Sequence, residues 1–349
     1  MNFLSASLKK LSPYVPGEQP KDIANLLKLN TNESPFPPSP KAVKAGKDGV
    51  ANTHLYSDPN ASALVNTLAD YHNVSPSCIA VSNGSDEALA FFAYAFCENG
   101  MIINDITYGF YKVLGALFQK KISIIKLDKN FCIDERKYAN KKGTVFIANP
   151  NAPTGIFLTL DKIEIILNQD KNRLVIVDEA YVDFGAESAL KLLDKYKNLA
   201  VVRTFSKSRS MAGARLGYVV SSPQIIQALL TIKNSFHPYN VNQVTQLMAV
   251  QSVKDEKYFN VTRTEIIKSR ELLLKRLQEL SFTTLPSLAN FVFTSPPDGN
   301  GERAYSCLRE KGILVRYFSQ NRLEPFVRIT VGNEEQTERL VGALKEIYD

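Results

Sequence analysis

Between about residues 60 and 250, short apolar runs rich in β-branched residues alternate with stretches that favour helices. This alternation is typical of a mostly parallel sheet that is covered by helices. The predicted strands are residues 79–82, 100–103, 122–125, 144–148, 174–177, 200–203 and 217–220. The sequence therefore predicts an α/β fold with a seven-stranded sheet, in which ligands gather outside the carboxyl ends of the strands.

The pattern changes after about residue 250, where a second and smaller α+β domain is predicted. Its predicted elements are a long charged helix over residues 256–280, strands near 290–294, 313–317 and 327–331, and an amphipathic closing helix over 334–349. We expect a large domain over residues 41–250 and a small domain over residues 251–349. The proline-rich residues 1–40 are expected to form an arm that packs on the small domain and on a partner subunit.

The chain of 349 residues is 44% hydrophobic and 22% charged, which is typical of a globular protein with one large core and a smaller satellite domain. Its four cysteines show no CxxC spacing, so we expect reduced thiols in a cytoplasmic protein. The three histidines have no metal-ligand spacing, and no metal is expected. No apolar run is long enough to span a bilayer, so no membrane association is expected.

The chain carries a formal net charge of +7, a balance that nucleic-acid-binding proteins also show. Its Lys and Arg residues are scattered along the whole length and form neither a basic block nor a helical stripe. We therefore expect no nucleic-acid partner. The modest net positive charge instead favours small-molecule substrates that are anionic.

Lys207 stands where a predicted strand ends, in the stretch 201–207 with the sequence VVRTFSK, and Arg215 follows shortly after it. An amine that is desolvated and close to other cations can lose its proton near neutral pH and attack a carbonyl. Lys207 is therefore a candidate for forming a Schiff base. The alternative is a solvated surface lysine, because short motifs often match by chance.

Asp178 directly follows the apolar run 174–177, in the sequence LVIVDEAY. The run also resembles a Walker B strand, but nucleotide hydrolysis would need a GxxxxGK[ST] loop, and the sequence contains none. Asp178 therefore needs another cationic partner. A pyridinium nitrogen would serve, because a carboxylate facing it keeps the ring protonated and makes it an electron sink. Tyr181 could then hydrogen-bond the phenolic oxygen of that ring.

Other polar groups also stand at predicted strand ends. Residues 83–87, with the sequence NGSDE, open a helical run, where a helix N-terminus either binds an anion or is closed by an ordinary side-chain cap. Residues 149–155, with the sequence NPNAPTG, form either a rigid border to the ring or a plain turn. Arg316 and Arg328 either clamp a carboxylate or phosphate or are surface arginines.

Five motifs, GSDE, NPNAPTG, DEAYVDF, SKSRSMAGAR and RITVG, occur in this order along the chain. Together they resemble the fold-type I pyridoxal-phosphate aminotransferases, and five ordered motifs are much harder to obtain by chance than one. The similarity is greatest to the branch that acts on histidinol phosphate, and it covers essentially the whole chain from residues 11–14 (LSPY) and 32–35 (NESP) onward. The resemblance implies the fold of that family, pyridoxal 5'-phosphate as cofactor and a homodimer.

The resemblance also implies roles for the matching residues. Lys207 would form the Schiff base with the cofactor, Asp178 would pair with its pyridine nitrogen, and Tyr181 would bond its ring oxygen. The residues implied to surround the cofactor phosphate are Gly84, Ser85, Asp86, Ser206 and Arg215. Tyr108 would stack on the ring, and Tyr56 would reach the cofactor phosphate of the neighbouring subunit.

The implied reaction is a ping-pong transamination in histidine biosynthesis, which links a phosphorylated amine, histidinol phosphate, to a 2-oxo acid, 2-oxoglutarate. Arg328 would bind the α-carboxylate of the amino-acid donor. Tyr14 and Arg316 would join Arg328 in binding the substrate phosphate, and Asn32 would also contact the substrate.

One position departs from the family pattern. Ala152 stands where a second asparagine is usual before Pro-Thr-Gly, so a side-chain contact to the ring oxygen of the cofactor is missing. Either Asn151 substitutes for that contact, or Tyr181 acts alone.

Three other functions stay open. A threonine-phosphate decarboxylase shares the fold and a phosphorylated substrate, although residues 211–215 and 238–242 look more like the histidinol-phosphate branch. A broader aromatic aminotransferase is the second alternative, since side-chain pockets diverge readily. A catalytically silent cofactor-binding regulator is the third, and it would carry an added DNA-binding segment, but no helix-turn-helix precedes Leu11.

Overall fold

The computed structural model describes residues 3–5, 8–9, 11–20 and 25–348. Its strands are β1 Leu27–Lys28, β2 Ile79–Ser82, β3 Met101–Asn104, β4 Ile122–Ile125, β5 Thr144–Ala148, β6 Val175–Asp178, β7 Leu199–Thr204, β8 Gly217–Ser221, β9 Thr283–Thr284, β10 Phe291–Ser295, β11 Ile313–Leu314, β12 Arg316–Tyr317 and β13 Val327–Thr330. Its α-helices are α1 Pro40–Val50, α2 Ser62–His72, α3 Gly84–Ala95, α4 Phe110–Leu117, α5 Leu160–Gln169, α6 Pro223–Phe236, α7 Gln243–Lys254, α8 Glu256–Glu279, α9 Gly301–Glu310 and α10 Glu334–Tyr348. No helix within the described ranges is both long and apolar enough to cross a membrane.

Seven strands form the main sheet, in the order β2, β8, β7, β6, β5, β3, β4. They run parallel except for β8, which is antiparallel to both β2 and β7. The prediction of a mostly parallel, seven-stranded α/β sheet is therefore confirmed. The predicted strand bounds agree with the observed ones to within about one residue at each end.

The sequence of β5 explains why this strand is covered on both faces. Neighbouring residues of a strand point to opposite faces of the sheet, and β5 has apolar residues at both kinds of position. Phe146 belongs to a core with Phe92 of α3 and Tyr111 of α4, whereas Ile147 belongs to a separate core with Ile163 of α5. Such a strand, which has no polar face, is stable only between two layers of helices.

The remaining strands form two smaller sheets. β12, β13, β10 and β9 make an antiparallel sheet, and its core includes Leu273 of α8, Leu308 of α9 and Leu340 of α10. β1 pairs in parallel with β11, and the carbonyl of Leu29 then accepts a hydrogen bond from the backbone N–H of Thr330 at 2.9 Å. These contacts fix the segment after β1 beside β13. The division into an arm, a large domain and a small domain stays a prediction.

We expect Ile147→Ala to lower the free energy of unfolding by about 2–5 kcal/mol, because it leaves a cavity in a completely buried part of β5. Ile124→Ala is the matched control, since Ile124 lies in the edge strand β4 and is 53% exposed. The same truncation there should lower the free energy of unfolding by at most about 1 kcal/mol. Urea titration followed by circular dichroism measures both variants, and equal losses would contradict the assignment of β5 to the centre of the core.

Candidate active site

The carboxyl ends of β2, β5, β6 and β7 border one cleft with a volume of about 410 Å³. β6 ends at Asp178, and β7 ends at Thr204, three residues before Lys207. The predicted site residues that line the cleft are Tyr14, Asn32, Ser85, Asp86, Tyr108, Asp178, Tyr181, Ser206, Lys207, Arg215, Arg316 and Arg328. The topology of the sheet therefore brings together residues that lie far apart in the sequence.

Lys207 lies in the loop after β7 and lines the cleft. Its Nζ atom donates a hydrogen bond to the carbonyl of Thr31 at 3.1 Å and lies 5.8 Å from the centre of the Tyr181 ring. Burial and the guanidinium of Arg328 lower the pKa of the Lys207 amine to about 8, although the carboxylate of Glu33 opposes this shift. An appreciable fraction of the amine is therefore neutral, and nucleophilic, near neutral pH.

Asp178 is a buried carboxylate at the end of β6, with 5% of its surface exposed. It accepts hydrogen bonds from the Tyr111 hydroxyl at 2.9 Å and from the backbone N–H of Ala180 at 3.2 Å. Among the residues that the structure describes, no cation forms an ion pair with it. Burial raises the pKa of Asp178 to about 6, against the Tyr111 hydrogen bond. This carboxylate therefore suits a cationic ligand group such as a protonated ring nitrogen.

The contact of Tyr111 with Asp178 was not anticipated from the sequence. Tyr111 lies in the first turn of α4 and is completely buried. Burial and the adjacent Asp178 carboxylate raise the pKa of Tyr111 well above its ordinary value, so its hydroxyl stays a proton donor. The apolar surroundings of this residue in the sequence suggest only a core position, since the contact depends on how α4 packs on the sheet.

Tyr181 is held by Asn32, which comes from the segment beside β13. The Asn32 amide donates to the Tyr181 hydroxyl at 3.0 Å, while the Asn32 backbone N–H donates to the Thr330 hydroxyl at 2.9 Å. Asn32 has a φ of 56°, in the left-handed region that asparagine tolerates better than most residues. The ring of Tyr181 also packs edge-on against Phe291, with centroids 5.0 Å apart. We expected the Asn32 side chain to contact the substrate, but it donates its hydrogen bond to Tyr181.

The first turn of α3 lies close to Arg215. Gly84 has a φ of 77°, a left-handed conformation that favours glycine, and a Cβ atom there would lie 2.5 Å from the Arg215 guanidinium. Arg215 donates to the Ser206 hydroxyl at 3.4 Å and to the Asp86 carboxylate at 3.3 Å. Asn83, which precedes the helix, makes no side-chain cap. Free N–H groups, a hydroxyl and a guanidinium together suit a phosphate.

Two aromatic residues line the cleft next to this turn. The Tyr108 hydroxyl donates to the Asp86 carboxylate at 3.0 Å. The Tyr14 ring packs edge-on against Tyr108, with centroids 5.8 Å apart. The ring of Tyr108 is thereby fixed by one hydrogen bond and one aromatic contact, as a surface for stacking requires.

Arg316 and Arg328 line the cleft without a carboxylate partner in the described part of the chain. Arg328 donates to the carbonyl of Asn30 at 3.0 Å, and its buried Nε has no hydrogen-bond partner among the described residues. Arg316 donates to the carbonyls of Val15 at 3.2 Å and Pro16 at 3.3 Å. Burial lowers the pKa of Arg328. Two guanidinium groups bonded only to neutral oxygens are well suited to an anionic ligand.

Three predicted site residues do not line this cleft. Gly84 lies behind Arg215, as its close approach requires. The side chain of Asn151 instead donates to the carbonyl of Ile106 at 3.1 Å and to the Thr154 hydroxyl at 3.0 Å, whereas Ala152 does line the cleft. The structure thus differs from the alternative in which Asn151 replaces the missing contact, because its amide holds the loop together. Tyr56 is 84% exposed.

Comparison with known proteins places the chain among aminotransferases. The model of the family "Aminotransferase class I and II" matches residues 24–344. The histidinol-phosphate aminotransferase of Acinetobacter baumannii (strain AYE) is 47% identical over 99% of this chain and 97% of its own length. That of Brachyspira hyodysenteriae is 45% identical over 99% of both chains. The structure of histidinol-phosphate aminotransferase from Sinorhizobium meliloti in complex with pyridoxal-5'-phosphate superimposes with a TM-score of 0.90 at 22% identity, over 100% of this chain and 98% of that chain.

In the cofactor-free protein, we expect Lys207 to react with dinitrofluorobenzene with a pH midpoint near 8, because burial and Arg328 lower its pKa. The neutral amine is the reactive form, so labelling should begin at lower pH than for an ordinary lysine, whose pKa is about 10.4. Peptide mass spectrometry after labelling at a series of pH values gives the midpoint.

Arg328→Met should raise the Lys207 midpoint by removing a nearby cation. Arg322→Met is the matched control, since Arg322 does not line the cleft, and it should leave the midpoint unchanged. A midpoint near 10.4 in the unmodified protein would contradict the proposed environment of Lys207.

Proposed function

We infer that this chain, which belongs to the aminotransferase class I and II family, is a transaminase that uses pyridoxal 5'-phosphate. Its proposed substrates are histidinol phosphate and 2-oxoglutarate, which would yield imidazole-acetol phosphate and glutamate in histidine biosynthesis. The observation that carries the proposal is a single cleft that holds a weakly basic lysine, a buried acid and two arginines, none of which has an ion-pair partner among the described residues.

The residues of the cleft fit the cofactor. Asp178 would face the ring nitrogen and keep it protonated, because a buried carboxylate is stabilised by an adjacent cation. The first turn of α3, together with Ser206 and Arg215, would bind the phosphate. When bound, the cofactor supplies an aldehyde that takes up an amino group and a ring that draws electrons away from the substrate Cα.

Lys207 has two proposed tasks. As a neutral amine it would be the nucleophile that holds the aldehyde of the cofactor. With substrate bound, its Nζ atom would accept the proton from the substrate Cα and would then pass it to the cofactor. A pKa of about 8 suits both steps, since the amine can gain and lose a proton near neutral pH.

Arg328, Arg316 and Tyr14 would bind the anionic groups of the two substrates. In a ping-pong reaction the substrates occupy the cleft in turn, so the same cations can bind a carboxylate in one half-reaction and a phosphate in the other. The carbonyls of Val15 and Pro16 that now accept from Arg316 are neutral, and a phosphate is a stronger acceptor. Asn32 would act on the substrate through the Tyr181 hydroxyl that it orients.

The alternatives from the sequence are less well supported. Relatives at 47% and 45% identity are named as histidinol-phosphate aminotransferases, which favours this substrate over threonine phosphate. An aromatic amino acid could pack against Tyr14 and Tyr108, but it has no phosphate for Arg316 to bind. The cytoplasmic location stays a prediction.

We also propose a homodimer in which Tyr56 completes the cofactor site of the partner subunit. Tyr56 does not line the cleft of its own chain and stacks on Tyr239, with ring centroids 4.6 Å apart. Leu55 and Phe236 are exposed as well. Exposed aromatic and aliphatic side chains of this kind favour burial against a second subunit.

The half-reaction tests the proposed function. We expect the cofactor-loaded protein, mixed with histidinol phosphate without any 2-oxo acid, to lose its visible absorption band and to form one equivalent of imidazole-acetol phosphate. Lys207→Ala should slow this step by several orders of magnitude, because both the nucleophile and the proton carrier are lost. Lys44→Ala, at an exposed lysine of α1, is the matched control. Stopped-flow absorbance and product chromatography measure both quantities.

Histidinol without its phosphate should react far more slowly at the same concentration, because Arg316 loses its anionic partner. Release of carbon dioxide from threonine phosphate would assign the decarboxylase function instead. An equally fast reaction of an aromatic amino acid would assign the broader aminotransferase.

Mixed dimers test the role of Tyr56. We expect Lys207→Ala and Tyr56→Ala proteins to have little activity separately and to regain activity when they are unfolded together and refolded as mixed dimers. Each mixed dimer then holds one site with an intact Lys207 and an intact Tyr56 from opposite subunits. A mixture no more active than the sum of its two components would show that Tyr56 does not act across the interface.

A further inference from the structure

A buried ion cluster joins residues of the DEAYVDF and SKSRSMAGAR motifs that have no role in the proposed reaction. Arg203, near the end of β7, is 8% exposed. Its guanidinium donates to the Glu179 carboxylate at 2.8 Å and to the Asp183 carboxylate at 2.8 Å. Glu179 follows Asp178 in the sequence, and Asp183 lies two residues after Tyr181.

The same cluster also reaches the lysine loop. Ser208, the residue after Lys207, is 3% exposed, and its hydroxyl donates to the second oxygen of the Asp183 carboxylate at 2.5 Å. Asp183 therefore links Arg203 of β7 to the loop that holds Lys207. We call Arg203, Asp183 and Ser208 the Arg203 clamp.

The charges of the clamp are matched. Burial opposes ionisation of Asp183, but Arg203, the Ser208 hydroxyl and the more distant Arg209 and Arg263 together lower its pKa. Asp183 is therefore an anion over the whole working range of pH. Hydrogen bonds in which at least one partner is ionised are short and strong, so the clamp restrains its members more tightly than bonds between neutral groups would.

The position of the clamp in the chain links it to the reacting groups. Ser208 is one peptide unit from Lys207, so a displacement of Ser208 moves the base of the lysine side chain directly. The turn that holds Asp183 begins at Tyr181. The Asp183 carboxylate thus connects the loop that holds Lys207 to the turn that follows Tyr181. Reacting groups must be held to within about 0.5 Å for efficient chemistry.

We propose that the Arg203 clamp is a positioning device, in which the Ser208–Asp183 hydrogen bond sets where the Lys207 amine stands relative to Asp178 and Tyr181. The inference deepens the proposed transaminase function, on which its catalytic meaning rests. Ser208 touches neither substrate nor cofactor in this proposal and acts through Lys207.

The chain offers a matched pair of variants. The Ser188 hydroxyl donates to the Glu179 carboxylate at 2.7 Å, on the other arm of the same ion cluster. Ser188→Ala and Ser208→Ala therefore both remove one hydroxyl donor to a carboxylate that is paired with Arg203. Neither changes the charge of the protein, and only Ser208 adjoins Lys207.

We expect Ser208→Ala to raise the labelling midpoint of Lys207 in the cofactor-free protein toward the ordinary lysine value, because a looser loop exposes the amine to water. It should also lower kcat by roughly tenfold with little change in KM, since misplacement affects the chemical step more than binding. Ser188→Ala should leave the midpoint and kcat unchanged. Thermal unfolding of both variants measures the purely structural effect.

The proposal is overturned if Ser208→Ala leaves the Lys207 midpoint where it is in the unmodified protein, or if both variants shift it equally. The labelling uses no cofactor and no substrate, so this outcome is separate from a failure of the proposed reaction. A shifted midpoint in Ser208→Ala alone supports the clamp even if histidinol phosphate is not the substrate.

Discussion

The burial of Asp178 at the carboxyl end of β6 is the constraint on which the rest of the site depends. A carboxylate removed from water without a cation is strongly destabilised, and two neutral donors offset only part of this cost. The strand cannot move the side chain to solvent, because the other three residues of β6 are completely buried between two helical layers. The fold therefore keeps, at one fixed place, a strong preference for a cationic ligand.

Unlike Asp178, the neighbouring carboxylates have a cationic partner among the described residues. Within the run DEAYVD, Glu179 and Asp183 are both paired with Arg203, whereas Asp178, in the described part of the chain, has only neutral partners. A carboxylate that already has an ion-pair partner can stabilise a loop, but it is not available to bind a cationic ring. The same distinction separates Arg203 from Arg328, whose guanidinium is bonded to a single carbonyl among the residues that the structure describes. Arg203 and its carboxylates thus connect loops, whereas Asp178 and Arg328 line the cleft without an ion-pair partner in the described residues.

Local sequence patterns were enough to predict the main sheet, whereas most residues of the cleft were assigned by the aminotransferase resemblance. Strand bounds follow from apolar runs, Asp178 stands out because it directly follows such a run, and Lys207 stands out because it lies in the short polar segment after another. The aminotransferase resemblance is confirmed by the family match over residues 24–344. The partners of these residues were not predictable, because the contacts of Tyr111 and of Asn32 join segments that are distant in sequence. The sequence likewise could not show whether Asn151 replaces the missing contact to the ring oxygen, because the partner of its amide, the carbonyl of Ile106, is distant in the sequence.

The contact between Asn32 and Tyr181 bears on the unusual Ala152. A tyrosine hydroxyl has one proton to donate and lone pairs that accept. Because the Asn32 amide already donates to the Tyr181 oxygen, the phenolic proton is left for an acceptor in the cleft. The pKa of Tyr181 is raised, chiefly by burial, so this proton is retained at neutral pH. In the proposed function, Tyr181 would therefore be a single well-oriented donor to the ring oxygen of the cofactor, which is the alternative in which Tyr181 acts without the asparagine that Ala152 replaces.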